Sequence, residues 1–242
     1  MGKLTKTFAF EKRASRPKNA VALMYDLEGF SRFFNQPDVQ DYVPSFLNHV
    51  SEAVSVCLHG GNDYWIEDEK LKGSRPLNLR VSHEKFMGDG ALYVLLPPAG
   101  SKDLDQKELG LLCNRLWNLK NDFQEIVKKA LDEVPVVEVP QRIRFGLSRG
   151  TVYELKKHGT QAREYIGFCI NQASRLQSYC PDLGFIASAR LMIPDNALKR
   201  HGYKKVIASK IKGFPNELVI VDAAEYDDLS EGVRHELFRE VT

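Results

Sequence analysis

Apolar and polar stretches alternate along the first part of the chain in a way that predicts both strands and helices. The uninterrupted apolar run at 21–25 predicts a buried strand. Apolar positions then recur with a helical period over 39–58, with Pro44 in the first turn and Gly60-Gly61 ending the helix. Residues 60–78 are polar and rich in turn-forming residues, which predicts an insertion loop between two paired strands.

The rest of the chain continues this mixture. Segments 79–82 and 91–96 predict a hairpin, and 103–131 predicts one long amphipathic helix. The pattern then predicts a strand at 142–147, a turn at 148–151 and a second strand at 152–155. It next predicts a helix at 167–179, a strand at 185–187 and a closing hairpin of 204–207 with 218–221. Helices among mainly antiparallel strand pairs predict an α+β fold, with the helices on one sheet face in a βαββαβ ferredoxin-like or palm arrangement.

Composition narrows the class of protein. We expect the 242 residues, 43% hydrophobic, to form one domain over 20–242, preceded by a basic arm at 1–19. The net charge of +2 gives no whole-protein case for binding nucleic acid or a membrane. The four cysteines form no CxxC pair, and no apolar stretch is long enough to span a bilayer. These features predict a cytoplasmic globular protein.

Two carboxylates follow predicted strands and are candidates for chemistry. Asp26 comes directly after the first apolar run, and Asp89 lies in Gly88-Asp89-Gly90 at the predicted hairpin turn. Each alone is explained equally well as a turn residue. If the two strands are neighbours, the paired carboxylates favour a divalent cation, which in turn binds triphosphates. The chain has no GxxxxGK[ST] sequence, which disfavours a P-loop NTPase.

Four segments, taken together, resemble the catalytic domain of class III adenylate and guanylate cyclases. They are MYDLEGFSRF, EKFMGDGALYVL, RIRFGLSRGTV and EYIGFCINQASRL, at 24–33, 84–95, 142–152 and 164–176. The resemblance covers roughly 20–222. It implies cyclisation of a nucleoside triphosphate to a 3′,5′-cyclic monophosphate, with two divalent metal ions, Mn²⁺ or Mg²⁺, as cofactors.

The resemblance also implies roles for the matching residues. Asp26, Asp89 and the backbone carbonyl of Leu27 would bind the metal ions. Asn171 would orient the ribose, and Arg175 would stabilise charge at the α-phosphate. Asn171 and Arg175 are four residues apart, so a helix presents both on one face. For either residue alone, a solvated position on a helix is the simpler explanation.

Further matching residues are candidates for binding the substrate. Lys85 matches the base-recognising lysine of the family, and Glu164 stands where adenylate cyclases carry an aspartate. Thr151 replaces an arginine that the family often keeps, and Arg149 is the candidate to supply that charge. Lys212, near the end of the resembling region, is a candidate for binding the terminal phosphates but is explained equally well as a surface lysine. The aromatic residues Phe30 and Tyr42 are the other candidates for binding the substrate.

In this family the active site lies between two subunits, so the resemblance implies a head-to-tail homodimer. A lysine donor and a glutamate acceptor fit uracil, although adenine and cytosine also offer an acceptor and a donor. Guanylate cyclases carry an acidic residue in place of Lys85, which disfavours guanine. The compact format and the segment KFMGDGALYVL resemble the bacterial pyrimidine cyclases of Pycsar antiphage systems. We therefore predict cyclic UMP as the product, with CTP, ATP or a catalytically silent nucleotide-binding module as alternatives.

Overall fold

One sheet forms the centre of the structure, a computed structural model that describes residues 10–11, 15–66 and 73–241. Its strands are β1 (Lys18–Glu28), β2 (Arg80–Phe86), β3 (Gly90–Leu96), β4 (Arg142–Lys156), β5 (Arg163–Gly167), β6 (Phe185–Ser188), β7 (Tyr203–Ile211), β8 (Phe214–Asp222) and β9 (Phe238–Glu240). The helices are α1 (Phe30–Phe34), α2 (Val43–His59), α3 (Gln106–Asn121), α4 (Phe123–Leu131), α5 (Phe168–Gln177), α6 (Asp195–Arg200), α7 (Ala223–Asp228) and α8 (Glu231–Leu237).

The strand order confirms the α+β prediction. The strands lie in the order β2-β3-β1-β4-β6-β8-β7-β9, and β5 pairs with β4 outside this path. All the described pairings are antiparallel except β4 with β6. The part β2-β3-β1-β4, with α2 after β1 and with α3 and α4 after β3, is the predicted βαββαβ arrangement.

Helices cover both faces of the sheet, whereas the sequence predicted them on one face. Leu23 and Tyr25 of β1 belong to the main core, which α2, α3 and α4 cover. Met24 points to the opposite face, where α5 packs across β1 and β4. Gly146 permits this crossing, because a Cβ atom there would lie 2.2 Å from the carbonyl oxygen of Ala173 on α5. The backbone of α5 therefore lies directly on the sheet.

Two sequence predictions about individual elements are wrong. The predicted turn at 148–151 is absent, because β1 pairs with β4 without interruption from Glu28↔Arg142 to Lys18↔Val152. The partner of β4 in a hairpin is instead β5. The predicted helix over 103–131 is two helices, because the backbone of Asp122 (φ −87°, ψ 2°) leaves the helical conformation and ends α3.

The ends of the chain add elements that the hydrophobic pattern did not predict. Helices α6, α7 and α8 and strand β9 were all missed. Most of the predicted basic arm, at 1–9 and 12–14, lies outside the described residues, as does 67–72 of the predicted insertion loop. The described part of that loop holds an isolated bridge between Gly61 and Ser74. None of the helices in the described ranges has the length and apolar composition needed to cross a membrane.

Candidate active site

The two candidate metal carboxylates lie together at one end of the sheet. Asp26 on β1 pairs with Gly90 at the start of β3. The backbone N–H of Leu27 donates to the carbonyl oxygen of Asp89 at 3.0 Å. Gly90 makes this approach possible, because a Cβ atom there would lie 2.0 Å from the carbonyl oxygen of Tyr25. The Gly-Asp-Gly turn thus brings Asp89 to the end of the first strand.

The carboxyl groups of Asp26 and Asp89 lie within hydrogen-bonding reach of each other. Burial, and next the negative charge of Asp26, raise the pKa of Asp89 above its usual value. Two carboxylates and the main chain of Leu27 form a set of oxygen donors suited to Mg²⁺ or Mn²⁺. Within the described residues, no cluster of three or more His, Cys, Asp or Glu side chains forms a metal site. The closeness of the two carboxyl groups is the observation that fits the two-carboxylate set implied by the resemblance, and their role as metal ligands stays a prediction.

Arg144 is a member of this site that the sequence analysis missed. It lies opposite Asp26 on β4, and its guanidinium group hydrogen-bonds the Asp26 carboxylate. The side chains of Asp26 and Arg144 are 23% and 17% exposed, so this ion pair is largely shielded from water. Two residues away, Arg142 pairs with Glu28 in the same way at 3.3 Å. Arg142 and Arg144 have the same two-residue spacing as Asp26 and Glu28. This shared spacing is the sequence pattern from which the two ion pairs could have been predicted.

Lys85 and Glu164, the candidate base-recognising residues, also lie together. The Nζ atom of Lys85 is 3.6 Å from Oε2 of Glu164, across a contact between β2 and β5. His83 approaches the same oxygen at 3.7 Å, and Lys157 approaches Oε1 at 3.1 Å. These four residues are called the Glu164 cluster below. The sequence analysis identified Lys85 and Glu164 but neither His83 nor Lys157.

The candidate catalytic residues Asn171 and Arg175 lie on the outer face of α5. Both are exposed, while Gln172 and Leu176 of the same helix are buried toward the sheet. No side-chain hydrogen bond or ion pair involving Asn171 or Arg175 is found in the described ranges. The predicted helix is confirmed, and it leaves both polar groups available to a ligand.

For the remaining candidates, the structure gives positions and neighbours that do not include Asp26 or Asp89 among the described contacts. Arg149 lies within β4, with its Nη1 atom 3.8 Å from the sulfur of Met192. Lys212 is exposed in the turn between β7 and β8. Phe30 begins α1 and stacks on Phe34, and Tyr42 precedes α2. Both Phe30 and Tyr42 pack against the main core. Their roles in binding a substrate stay predictions.

The Glu164 cluster and the carboxylates occupy different positions along the sheet. His83 pairs with Val94 and Lys85 with Leu92, and these two residues pair with Ala22 and Met24, four and two residues from Asp26 on β1. At about 3.4 Å per residue, the separation along the strand is about 14 Å for His83 and about 7 Å for Lys85, and two strand spacings separate them across the sheet. In the described residues, no hydrogen bond or ion pair joins the Glu164 cluster to Asp26 or Asp89. One chain therefore presents two separate groups of candidate residues.

Comparison with known proteins identifies the fold. No protein-family model and no curated protein matches the chain. Among solved structures, the adenylyl cyclase CyaB from P. aeruginosa is similar, with a TM-score of 0.60 and 16% identity over 86% of this chain and 96% of that chain. The guanylyl cyclase Cya2 is similar with a TM-score of 0.55 and 17% identity, over 87% of this chain and 93% of that chain. A bacterial light-regulated adenylyl cyclase has a TM-score of 0.54 and 14% identity, over 88% of this chain and 53% of that chain. The chain therefore has the fold of the nucleotidyl cyclase catalytic domain, which is shared by adenylyl and guanylyl cyclases.

Proposed function

We propose that this chain is a nucleotidyl cyclase that converts UTP into 3′,5′-cyclic UMP and pyrophosphate. The observation that carries the proposal is the pair Asp26 and Asp89, side by side at a strand end on the fold of the nucleotidyl cyclases. Retention of both carboxylates, with Asn171 and Arg175 exposed on α5, supports an active enzyme over a silent relative.

The reaction is an in-line displacement at phosphorus. The ribose 3′-oxygen attacks the α-phosphorus, the bond to the bridging oxygen of pyrophosphate breaks, and the 3′-hydroxyl proton passes to solvent. Two divalent cations on Asp26, Asp89 and the Leu27 carbonyl would lower the pKa of the 3′-hydroxyl and neutralise charge on the phosphates. Arg175 donates to the α-phosphate oxygens, where charge grows in the transition state, and Asn171 orients the ribose.

Base recognition falls to the Glu164 cluster in this proposal. Lys85 donates to O4 of uracil, and Glu164 accepts from N3–H. The glutamate is one methylene longer than the aspartate of adenylate cyclases, which leaves less room for a purine. Arg149 and Lys212 supply positive charge for the β- and γ-phosphates.

The separation of the two groups of residues supports a head-to-tail homodimer, in which each site combines the carboxylates of one chain with the Glu164 cluster and α5 of the other. Exposed apolar side chains lie beside the Glu164 cluster. Tyr153 and Ile166 face each other on β4 and β5, and Phe168 follows. A second copy of the chain is the occupant that this surface requires, because one copy leaves the site incomplete.

The test of the reaction is an assay of the purified protein with each of the four nucleoside triphosphates and Mn²⁺. We expect cyclic UMP as the main product, and no product from Asp89→Ala. A product made from ATP alone would identify an adenylate cyclase, and one made from CTP alone a cytidylate cyclase. Turnover of none of the four at high protein concentration would favour a catalytically silent nucleotide-binding module.

The dimer is tested by complementation between two inactive chains. Asp89→Ala removes a metal ligand, and Arg175→Ala removes the phosphate contact from the other half of the site. Random mixing gives one intact site in half of the dimers, so about a quarter of the wild-type activity should return. If each site is built from a single chain, the mixture stays inactive.

The resemblance of the segment KFMGDGALYVL to Pycsar pyrimidine cyclases supports a role for cyclic UMP as a second messenger in bacterial antiphage defence. Bacteria that carry the gene with its neighbouring genes should resist phages that plate normally on cells carrying Asp89→Ala. Equal plating on both strains across a diverse phage panel contradicts this role.

A further inference from the structure

The two carboxylate oxygens of Glu164 have different surroundings. Lys157 approaches Oε1 at 3.1 Å, within hydrogen-bonding distance. Lys85 and His83 approach Oε2 at 3.6 and 3.7 Å, which is too far for a direct hydrogen bond. The hydrogen bond from Lys157 is the main cause that lowers the pKa of Glu164, which keeps this group an anion at neutral pH. Oε1 is therefore occupied, and Oε2 is available to a donor from outside.

The backbone around Lys157 is fixed on both sides. Its N–H donates to the carbonyl oxygen of Ala162 at 3.1 Å, and Lys157 forms an antiparallel bridge with Phe10. The Lys157 side chain is 34% exposed, against 52% for Lys85, so Lys157 is the more shielded of the two lysines. Because the backbone of Lys157 is hydrogen-bonded and its side chain is partly shielded from water, its ammonium group keeps the Glu164 carboxylate in one orientation.

His83 closes the other side of Glu164. Its side chain is 14% exposed, and its ring lies 5.5 Å from the ring of Tyr165. Burial is the main cause that lowers the pKa of His83, so the imidazole is neutral at neutral pH. A neutral ring competes less for Oε2 than a second full cation would. Of the two cations near Glu164, Lys85 is the one that remains free to meet a substrate atom.

Resting on the cyclase function proposed above, we propose that Lys157 is a positioning residue that selects the substrate base. By holding Oε1, Lys157 leaves Glu164 one free acceptor oxygen, beside the donor Lys85. A base with one N–H donor next to one acceptor on its pairing edge satisfies this arrangement, as uracil, cytosine and adenine do. Guanine presents two neighbouring donors, N1–H and the 2-amino group, and leaves one of them without a partner. A donor left unmatched when the base is enclosed costs affinity, so the arrangement disfavours GTP.

The experiment measures binding of 3′-deoxynucleoside triphosphates in the presence of Mn²⁺, by titration calorimetry. These probes lack the attacking hydroxyl, so binding is separated from turnover. The proteins are wild type, Lys157→Met, Lys157→Arg and Lys156→Met. Lys156 is the matched control, because it is the adjacent lysine on β4, is exposed, and lies opposite Arg163 away from Glu164. A melting curve for each protein reports on folding.

We expect Lys157→Met to bind 3′-deoxy-UTP about tenfold more weakly, the size expected for losing a hydrogen bond to a charged group. Its preference for 3′-deoxy-UTP over 3′-deoxy-GTP should shrink, because Oε1 becomes free to accept the second guanine donor. Lys157→Arg should keep most of the preference, and Lys156→Met should match wild type.

Several results would overturn the inference. Wild-type affinities in Lys157→Met would show that Lys157 does not position Glu164. An equal loss for both probes, with an unchanged preference, would assign Lys157 a structural role only. If the wild-type protein binds none of the four 3′-deoxynucleotides, the proposed cyclase function fails and this inference fails with it. If the wild type binds them and Lys157→Met keeps the wild-type preference, the cyclase proposal stands and only the role of Lys157 is rejected.

Discussion

The ion pair between Arg144 and Asp26 makes a prediction that tests the metal site without an activity assay. In the absence of metal, the Arg144 guanidinium is the cation that the Asp26 carboxylate contacts. Replacing Arg144 by Met keeps an unbranched apolar stem and removes the charge. Asp26 is then left beside Asp89 with no compensating cation. We expect Arg144→Met to lower stability in metal-free buffer and to respond strongly to added Mn²⁺.

The exposure of the pair sets the size of this effect. Removing one partner of a buried ion pair costs about 3–5 kcal/mol, and an exposed pair contributes about 0–1 kcal/mol. The two side chains, 23% and 17% exposed, lie between these limits, which gives about 2 kcal/mol. For a chain of this size, 1 kcal/mol corresponds to about 2–4 °C, so the melting temperature should fall by about 4–8 °C.

The assay is thermal unfolding with and without Mn²⁺. A metal ion at about 100 times its Kd stabilises the folded state by about 2.7 kcal/mol. In the wild-type protein, the ion must compete with Arg144 for Asp26. In Arg144→Met it does not, so Mn²⁺ should bind more tightly and raise the melting temperature by several degrees more than in wild type.

Arg142→Met is the matched control for this assay. Arg142 pairs with Glu28, at side-chain exposures of 39% and 42%, and its guanidinium also donates to the carbonyl oxygen of Asp182 at 2.9 Å and lies 3.8 Å from Glu225. Its loss should cost about 1–2 kcal/mol, with no change in the response to Mn²⁺. Equal Mn²⁺ shifts in Arg144→Met and wild type would refute the reasoning, because Arg144 would then not occupy the position of a cation.

Three further substitutions test other links in the argument. Arg175→Ala should lower kcat far more than it raises KM in steady-state kinetics, since its bond strengthens as charge develops. Gly146→Ala should destabilise the protein in urea by about 1–3 kcal/mol, because the new methyl group meets the carbonyl oxygen of Ala173. Lys120→Met removes the cation that lies 2.7 Å from the buried Asp222 carboxylate and 3.0 Å from Glu225, leaves Asp222 only neutral donors such as Trp117, and should cost about 3–5 kcal/mol. The pKa of Asp222 is held below its usual value, so this contribution is present at neutral pH, and urea titrations should show it narrowing only as the pH falls below about 4.

The parts of the fold that the sequence predicted are those with a strong local signal. The helical period that Gly60 ends and the helix of Asn171 and Arg175 are present at nearly the expected bounds, and the strand predicted at 21–25 is present but extends over Lys18–Glu28, so that Asp26 lies inside it. The failures are non-local. Ser148-Arg149-Gly150-Thr151 has the composition of a turn, yet pairing with β1 keeps it extended.

The residues of the candidate site also fall into those that the sequence predicted and those that it did not. Motif resemblance was sufficient to nominate Asp26 and Glu164 as candidates, because each lies in a segment with a recognisable pattern. Arg144 lies in a resembling segment and Lys157 does not, but the resemblance gives neither of them a role, and their contacts depend on which strand lies opposite and in which register. Register is set by the whole sheet, so a single sequence without aligned relatives does not show it.

Two of the three carboxylates that the sequence analysis singled out contact a cation that it missed: Asp26 contacts Arg144, and Glu164 contacts Lys157. A partly buried carboxylate needs such compensation, and one element supplies both cations, since Arg144 lies near the start of the unbroken strand β4 and Lys157 directly follows its end. The two cations are 13 residues apart, which places them well beyond the about 10 Å within which substitutions couple. Their effects should therefore be independent: Arg144→Met should change the Mn²⁺ response without changing base preference, and Lys157→Met the reverse. In the double variant, the two effects should add; a clear departure from additivity in either measurement would show that the metal end and the base end of the site are coupled through the strand.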